Sequence, residues 1–168
     1  NIEYPYDGWT QDEFLDIALE LTETSDGETL VYGSDFLTVY QHIAPWVWSN
    51  GGEFFTEDFS ESLVTMPEVV DTLQFVADLR YEHGVMAKPE VSEAMEGMGG
   101  MFMSQKLATS GGGYGCWMVP TFRQIEDFEW DVAPLPEGRV SKTNIVYASC
   151  FAVAAQSEYP EEAVDFTL

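Results

Sequence analysis

The segment FLTVYQHIAPWVWSNGG, Phe36 to Gly52, decides how this chain folds. Phe36, Leu37, Val39, Tyr40, Ile43, Trp46, Val47 and Trp48 leave almost no polar face over 36–49. A helix that is apolar nearly all round belongs inside a packed domain. Pro45 lacks a backbone N–H and crowds the carbonyl four residues earlier, so a bend is expected beside it. Asn50-Gly51-Gly52 supplies the left-handed conformations that a helix stop requires. Such a helix needs other elements to cover it, and the flanking sequence provides them.

Upstream, Thr10 reads as an N-cap with Glu13 completing a capping box. Phe14, Ile17, Ala18 and Leu21 then form one apolar stripe, which predicts an amphipathic helix over 11–24 ended by Asp26-Gly27. Leu30-Val31-Tyr32 reads as a short strand. Downstream, Pro67 sits at the first turn of a helix whose face is Val69, Val70, Leu73, Val76, Ala77 and Arg80, ending at Gly84. The Met- and Gly-rich stretch 91–106 predicts one or two short helices. A strand at Leu107–Thr109 runs into Ser110-Gly111-Gly112-Gly113-Tyr114-Gly115, and a helix is expected over 116–126. Phe128–Leu135 is strand-like, Ile145–Ala155 is a second β stretch, and Pro160 opens a last helix. Strand and helix alternate irregularly, as in an α/β lobe, without an internal repeat.

The 168 residues are about one domain's worth of chain, and 45% apolar with 14% aromatic residues excludes intrinsic disorder. No apolar run approaches the ~20 residues that a membrane helix needs. No leader pattern opens the sequence, so a targeting signal is expected to have been removed or to lie outside these residues. Six Lys and Arg stand against 30 Asp and Glu, a net charge of −24. No cation precedes Arg80, while seventeen carboxylates do, from Glu3 to Asp78. Such a surface repels phosphate backbones and anionic lipid, which excludes nucleic-acid and membrane-surface binding.

Three readings of the acidity compete: adaptation to high salt, a basic partner, and metal binding. Calcium loops need a D-x-[DN]-x-[DN]-G run, and the sequence has none. Asp12, Glu13, Asp16, Glu20 and Glu23 fall where a helix is expected to expose them, which favours a solvated, salt-adapted face. Cys116 and Cys150 have no Cys or His at zinc spacing and read as small buried hydrophobes. No metal or cofactor is therefore expected.

The glycine run 111–113 lacks the Lys-Ser/Thr of a phosphate loop, so it reads as a strand-to-helix turn where backbone approaches something closely. His83 beside Gly84 suits a helix C-terminus, and His42 is either a core histidine or a cleft hydrogen-bonder. Ser104, Ser110 and Ser149 lack a G-x-S-x-G elbow. No pair of carboxylates is singled out for glycosidic cleavage, so an enzyme is the weaker hypothesis. Tyr40, Trp46, Trp48, Tyr114 and Trp117 cluster near glycine turns, where rings either fill the core or face a cleft and stack on sugar C–H faces.

Seven segments, in order, resemble one family. They are Trp9-Thr10-x-x-Glu13-Phe14, Trp48-x-Asn50-Gly51-Gly52, Phe75-x-x-Asp78-Leu79 with Gly84, and Met103-x-x-Lys106-Leu107-Ala108. Gly115-Cys116-Trp117, Trp130-Asp131-Val132-Ala133-Pro134-Leu135-Pro136 and Ser157-Glu158-Tyr159-Pro160-Glu161-Glu162-Ala163 complete the series. Their order is similar to that of the extracellular solute-binding proteins (family 1) of ABC importers, the maltose-binding-protein group.

The resemblance implies a periplasmic-binding-protein-like (type II) α/β lobe, helix-rich with a small mixed sheet. Residues 1–136 would form most of the C-terminal ligand-binding lobe, and 137–168 a crossover returning towards an N-terminal lobe. It implies non-catalytic capture of a mono- or oligosaccharide, with a secreted glycoside-active enzyme as the alternative. Trp117 matches the family's sugar-stacking tryptophan, and the polar and aromatic cleft positions fall around Tyr40, Gln41 and His42. Trp46, Gly113, Tyr114 and Tyr147 complete the expected ligand-binding set. The implied partners are a small-molecule carbohydrate and the membrane ABC permease subunits. The implied setting is a monomer held outside the cell, lipid-anchored or periplasmic.

Overall fold

Helix α1 (Gln11–Leu21) begins at the expected capping box: the Glu13 N–H donates to Thr10 Oγ1 at 3.2 Å, and the Thr10 N–H donates to the Glu13 carboxylate at 2.7 Å. In the computed structural model, which describes residues 2–35, 40–95, 97–111, 115–146 and 150–167, α1 ends earlier than its stripe predicts. Glu23–Ser25 forms strand β1 instead, joined to β2 (Glu28–Asp35) by a hairpin. Asp26 (φ 53°) and Gly27 (φ 83°) are both left-handed, as a two-residue primed turn requires. The Asp-Gly pair is therefore a hairpin turn and not a helix stop, and β-branched Thr22 and Thr24 favour the extended chain before it.

Helix α2 (Tyr40–Ser49) has His42 to Val47 buried, as its composition predicts; Phe36 to Val39 lie outside the described residues. Its stop is a Schellman motif: the Gly52 N–H donates to the Val47 carbonyl at 2.9 Å and the Gly51 N–H to the Trp48 carbonyl at 3.0 Å. Only Gly51 is left-handed there (φ 83°). Asn50 serves otherwise, its buried amide donating to Gln11 Oε1 and Thr72 Oγ1 and accepting from the Arg139 N–H.

Helix α3 (Pro67–Tyr81) opens on Pro67 as expected but buries Val69, Thr72, Val76 and Leu79. Val70 and Leu73 are exposed, correcting the predicted face. Each residue turns the helix by about 100°, and the core contacts select the stripe that includes Thr72. Helices α4 (Pro89–Ala94) and α5 (Gly97–Met103), strand β3 (Leu107–Ser110), α6 (Gly115–Phe122) and α7 (Pro160–Thr167) follow in the predicted order, α6 shorter than expected. The core joins Trp9, Phe14 and Ala18 to Ile43, Trp46 and Val47, Val69, Val76 and Leu79, Val85 to Ala87, Met101 and Leu107.

Neither later β stretch forms a strand among the described residues. Pro134 and Pro136 remove two ladder donors. The 128–137 segment is instead tied across the α1 entry, Trp9 Nε1 donating to the Pro134 carbonyl at 2.8 Å and the Glu137 N–H to the Trp9 carbonyl at 2.7 Å. Val146 and Phe151 lie exposed, and residues 147–149 between them lie outside the described residues. Cys150 is an exposed free thiol, not a buried hydrophobe.

In the loop after α2, Asp58 accepts from Thr56 Oγ1, Ser60 Oγ and the Ser60 N–H at 2.7, 2.7 and 3.1 Å, which lowers its pKa to about 2. A depressed carboxyl stabilises the fold above its unfolded value and loses that contribution as pH falls through the folded one. We therefore expect loop protection in hydrogen exchange to weaken between about pH 4 and pH 2, and Asp58→Asn to remove that step. An unchanged acid profile in Asp58→Asn refutes the assignment.

Candidate functional site

Strands β2 and β3 run parallel, with Tyr32, Ser34 and Asp35 opposite Leu107, Thr109 and Ser110, in a sheet ordered β1-β2-β3. Two segments seventy-five residues apart thus end side by side, and the Gly111 N–H donates to the Asp35 carbonyl at 2.9 Å. In chain order α2 follows β2 and α6 follows β3. In α/β sheets the carboxyl ends of parallel strands are where ligands sit, because the connections diverge there and leave backbone groups at an open edge.

The predicted site residues lie on the elements that follow these two strands in the chain. Tyr40, Gln41 and His42 form the first turn of α2, and α6 carries Trp117. Tyr40 is 52% exposed and Gln41 is exposed. His42 is buried, and that desolvation lowers its pKa. Trp46 is also core, its ring 5.2 Å from Phe14 and 6.1 Å from Phe75, so it does not face the edge. Gly113, Tyr114, Tyr147 and the ring of Trp117 lie outside the described residues.

Sequence reasoning missed the groups that hold this edge. Asp35, at the end of β2, meets Arg80 at 3.3 Å with both side chains nearly buried, and Arg80 Nε donates to the Ala87 carbonyl at 2.8 Å. The signal was present, since Arg80 is the first cation after seventeen carboxylates and stands on an apolar helix face. Ser34 Oγ and Ser110 Oγ are buried with no hydrogen-bond partner among the described residues. At the other end of α2 a polar cavity of about 270 Å³ is lined by Thr10, Asp12, Asn50, Asp71, Phe75 and Arg139. Its walls are already engaged, Arg139 with Asp71 and Asn50 with Gln11 and Thr72. Among the described residues no three His, Cys, Asp or Glu side chains converge to hold a metal, and no helix is long and apolar enough to cross a membrane.

Solved structures share this fold. An ABC substrate-binding protein from Listeria monocytogenes in complex with cycloalternan is 22% identical, with a TM-score of 0.81 over 99% of this chain and 41% of its own. The maltose/maltodextrin-binding domain MalE from Bdellovibrio bacteriovorus, bound to maltotriose, is 21% identical with a TM-score of 0.70 over 99% of this chain and 44% of its own. UspC of M. tuberculosis is 17% identical, with a TM-score of 0.66 over 95% and 43%. The chain thus spans about two fifths of the length of these proteins. No curated protein sequence matches it significantly.

The fold is that of a type II periplasmic-binding-protein lobe, with a small mixed sheet. The family model of the bacterial extracellular solute-binding proteins matches residues 2–167, and the chain belongs to that family.

Proposed function

We propose that this chain is the C-terminal-lobe portion of an ABC-importer receptor that captures a carbohydrate without chemistry of its own. Residues 1–136 form most of the lobe, and 137–168 are the crossover towards the other lobe. The reading is supported by the parallel register of Asp35 with Ser110, which brings together the ends of the two strands that α2, with Tyr40 and Gln41, and α6, with Trp117, follow in the chain. Rings supply stacking faces and Gln41 an amide for hydroxyls, and lobe closure is a hinge motion. Tyr114, Gly113 and Tyr147 belong to the same proposed wall. The whole receptor acts as an extracellular monomer, lipid-anchored or periplasmic, that delivers its sugar to membrane permease subunits. The sugar-bound relatives support this reading.

The test is a glycan-library thermal-shift screen on the full-length receptor in molar salt. At least one saccharide is expected to raise the melting temperature, and Trp117→Ala to abolish that rise. No shift with any glycan defeats the proposal, and turnover lost on mutating one carboxylate pair establishes the enzyme alternative instead.

The surface supports a salt-adapted habitat. Asp12, Asp16 and Glu20 on α1 and Glu161, Glu162 and Asp165 on α7 are exposed, and neither helix has a cation in its last turn. At molar ionic strength the Debye length falls to about 3 Å, which screens the self-repulsion of a chain at −24. Thermal stability is therefore expected to rise between low and molar KCl. A flat response overturns the habitat reading and leaves the fold untouched.

A further inference from the structure

The last carbonyls of a helix have no partner inside it and must find one elsewhere. Those of α2 are met by Gly51 and Gly52 and then by a distant stretch of chain. The Ser49 carbonyl accepts from the Val140 N–H at 2.9 Å and the Ser141 N–H at 3.0 Å, and Ser49 Oγ accepts from the Thr143 N–H at 2.9 Å. Asn50 Oδ1 accepts from the Arg139 N–H at 2.9 Å, and the Gly138 N–H closes the turn on the Ser141 carbonyl at 2.9 Å. Ser49 and Asn50 are buried, so these bonds face little competition from water.

Shape enforces the same seat. A Cβ at Gly138 would lie 2.4 Å from the Ser49 carbonyl oxygen and 2.6 Å from the Ser49 Cβ, so only glycine admits the turn to the helix end. On the α1 side the Gln11 N–H donates to the Glu137 carbonyl at 3.1 Å, and Lys142 pairs with Asp7. The seating then stops. The Ile145 N–H donates only to the neighbouring Asn144 Oδ1, and among the described residues no hydrogen bond ties 144–146 back to the helices. A backbone whose N–H groups are held cannot change its dihedral angles without breaking those bonds, whereas 144–146 can turn freely.

We infer that the rigid part of this lobe runs on through Thr143, seated on the end of α2, and that the crossover bends at 144–146 when the lobes close. The inference rests on the two-lobe receptor reading above and moves the start of the bending segment from 137 to 144. Ser49, Asn50 and Gly138 are positioning residues, which act on the crossover and not on the sugar. Helix α2 holds the crossover at one end and carries Tyr40 and Gln41 in its first turn, so the base of the pivot and those side chains move as one body.

The experiment is residue-resolved hydrogen exchange on the full-length receptor in molar KCl, alone and with maltotriose or cycloalternan, the sugars held by two of the related proteins. The Val140, Ser141 and Thr143 amides are expected to stay protected with or without sugar. Ile145 and Val146 should exchange fast and slow down when a sugar closes the lobes. Ser49→Ala keeps the carbonyl and removes only the hydroxyl, so it should speed exchange at Thr143 about tenfold, the worth of one hydrogen bond, and leave Val140 and Ser141 unchanged. Gly138→Ala should free all of 139–143, with protection of α1 near wild type certifying the fold. Exchange at 139–143 as fast as at 145–146, or a sugar effect at 139–143 that bypasses 145–146, overturns the inference and leaves the carbohydrate reading standing. If neither sugar alters exchange anywhere, the carbohydrate reading loses support, and the sugar-free contrast between Thr143 and Ile145 still confirms or overturns the end of the rigid part.

Discussion

Arg80→Met is expected to lower the folding stability of this chain by about 3–5 kcal/mol, the range for breaking a buried ion pair from one side. Asp35 and Arg80 side chains retain only 4% and 10% of their exposure, so water does little to replace a lost partner. The variant strands a carboxylate without its guanidinium at the end of β2 and also loses the hydrogen bond from Arg80 Nε to the Ala87 carbonyl. Replacing both members, as in Asp35→Leu with Arg80→Met, should recover much of the loss, because no buried charge then remains to be compensated. Urea unfolding of the single and double variants measures the difference. A single variant within about 1 kcal/mol of wild type, a surface pair's range, shows that solvent reaches the pair and that Arg80 does not hold the edge.

Gly33→Ala should be comparably severe, for a steric reason. A Cβ at Gly33 stands 1.9 Å from the Ala18 carbonyl oxygen, 2.6 Å from its carbon and 2.8 Å from Thr22 Oγ1. Two of these are backbone atoms inside α1, so relief requires moving the helix off the sheet. Thr22 Oγ1 donates to the Ala18 carbonyl at 2.7 Å and accepts from the Gly33 N–H at 3.1 Å, and that bridge breaks as the elements part. A loss of about 3 kcal/mol is expected, the upper end for overpacking a filled site. Gly27→Ala provides the control: nothing lies near its Cβ, and the left-handed φ of 83° alone costs about 1–2 kcal/mol. If the two variants melt together, the close approach of α1 to β2 is not what Gly33 provides.

Both effects converge on one place. Asp35 and Gly33 lie on the strand that carries the β2/β3 edge, so damage to either displaces the groups at that edge as well as the core. The fold and the candidate site share their supports. A stability loss and a binding loss are expected to travel together in these variants.

Much of this architecture is written in local sequence. The capping box at Thr10 and Glu13, the apolar run of α2, Pro67 and Pro160 at helix starts, and the strand at Leu107–Thr109 each act within a few residues. The ordered series of seven motifs also suffices to place the chain in its family. The errors fall where a local signal has two outcomes. Asp26-Gly27 can stop a helix or turn a hairpin, and the choice depended on β2 pairing back onto 23–25. Phe128–Leu135 has the composition of a strand, but its carbonyls were taken by Trp9 and Tyr4 rather than a ladder.

Sequence by itself determined the acidic surface, the buried α2 and the order of the helices, because charge, periodicity and capping are properties of neighbours in the chain. Tertiary structure alone decided which rings are core and which are accessible. Tyr40 and Trp46 stand six residues apart on one apolar helix, and only the packing of Phe14 and Phe75 against Trp46 separates them. It also decided the edge itself, since Asp35 and Ser110 meet through strand hydrogen bonds that close a loop of seventy-five residues. The free energy of that closure comes from burial across the whole lobe, and no short stretch of sequence records it.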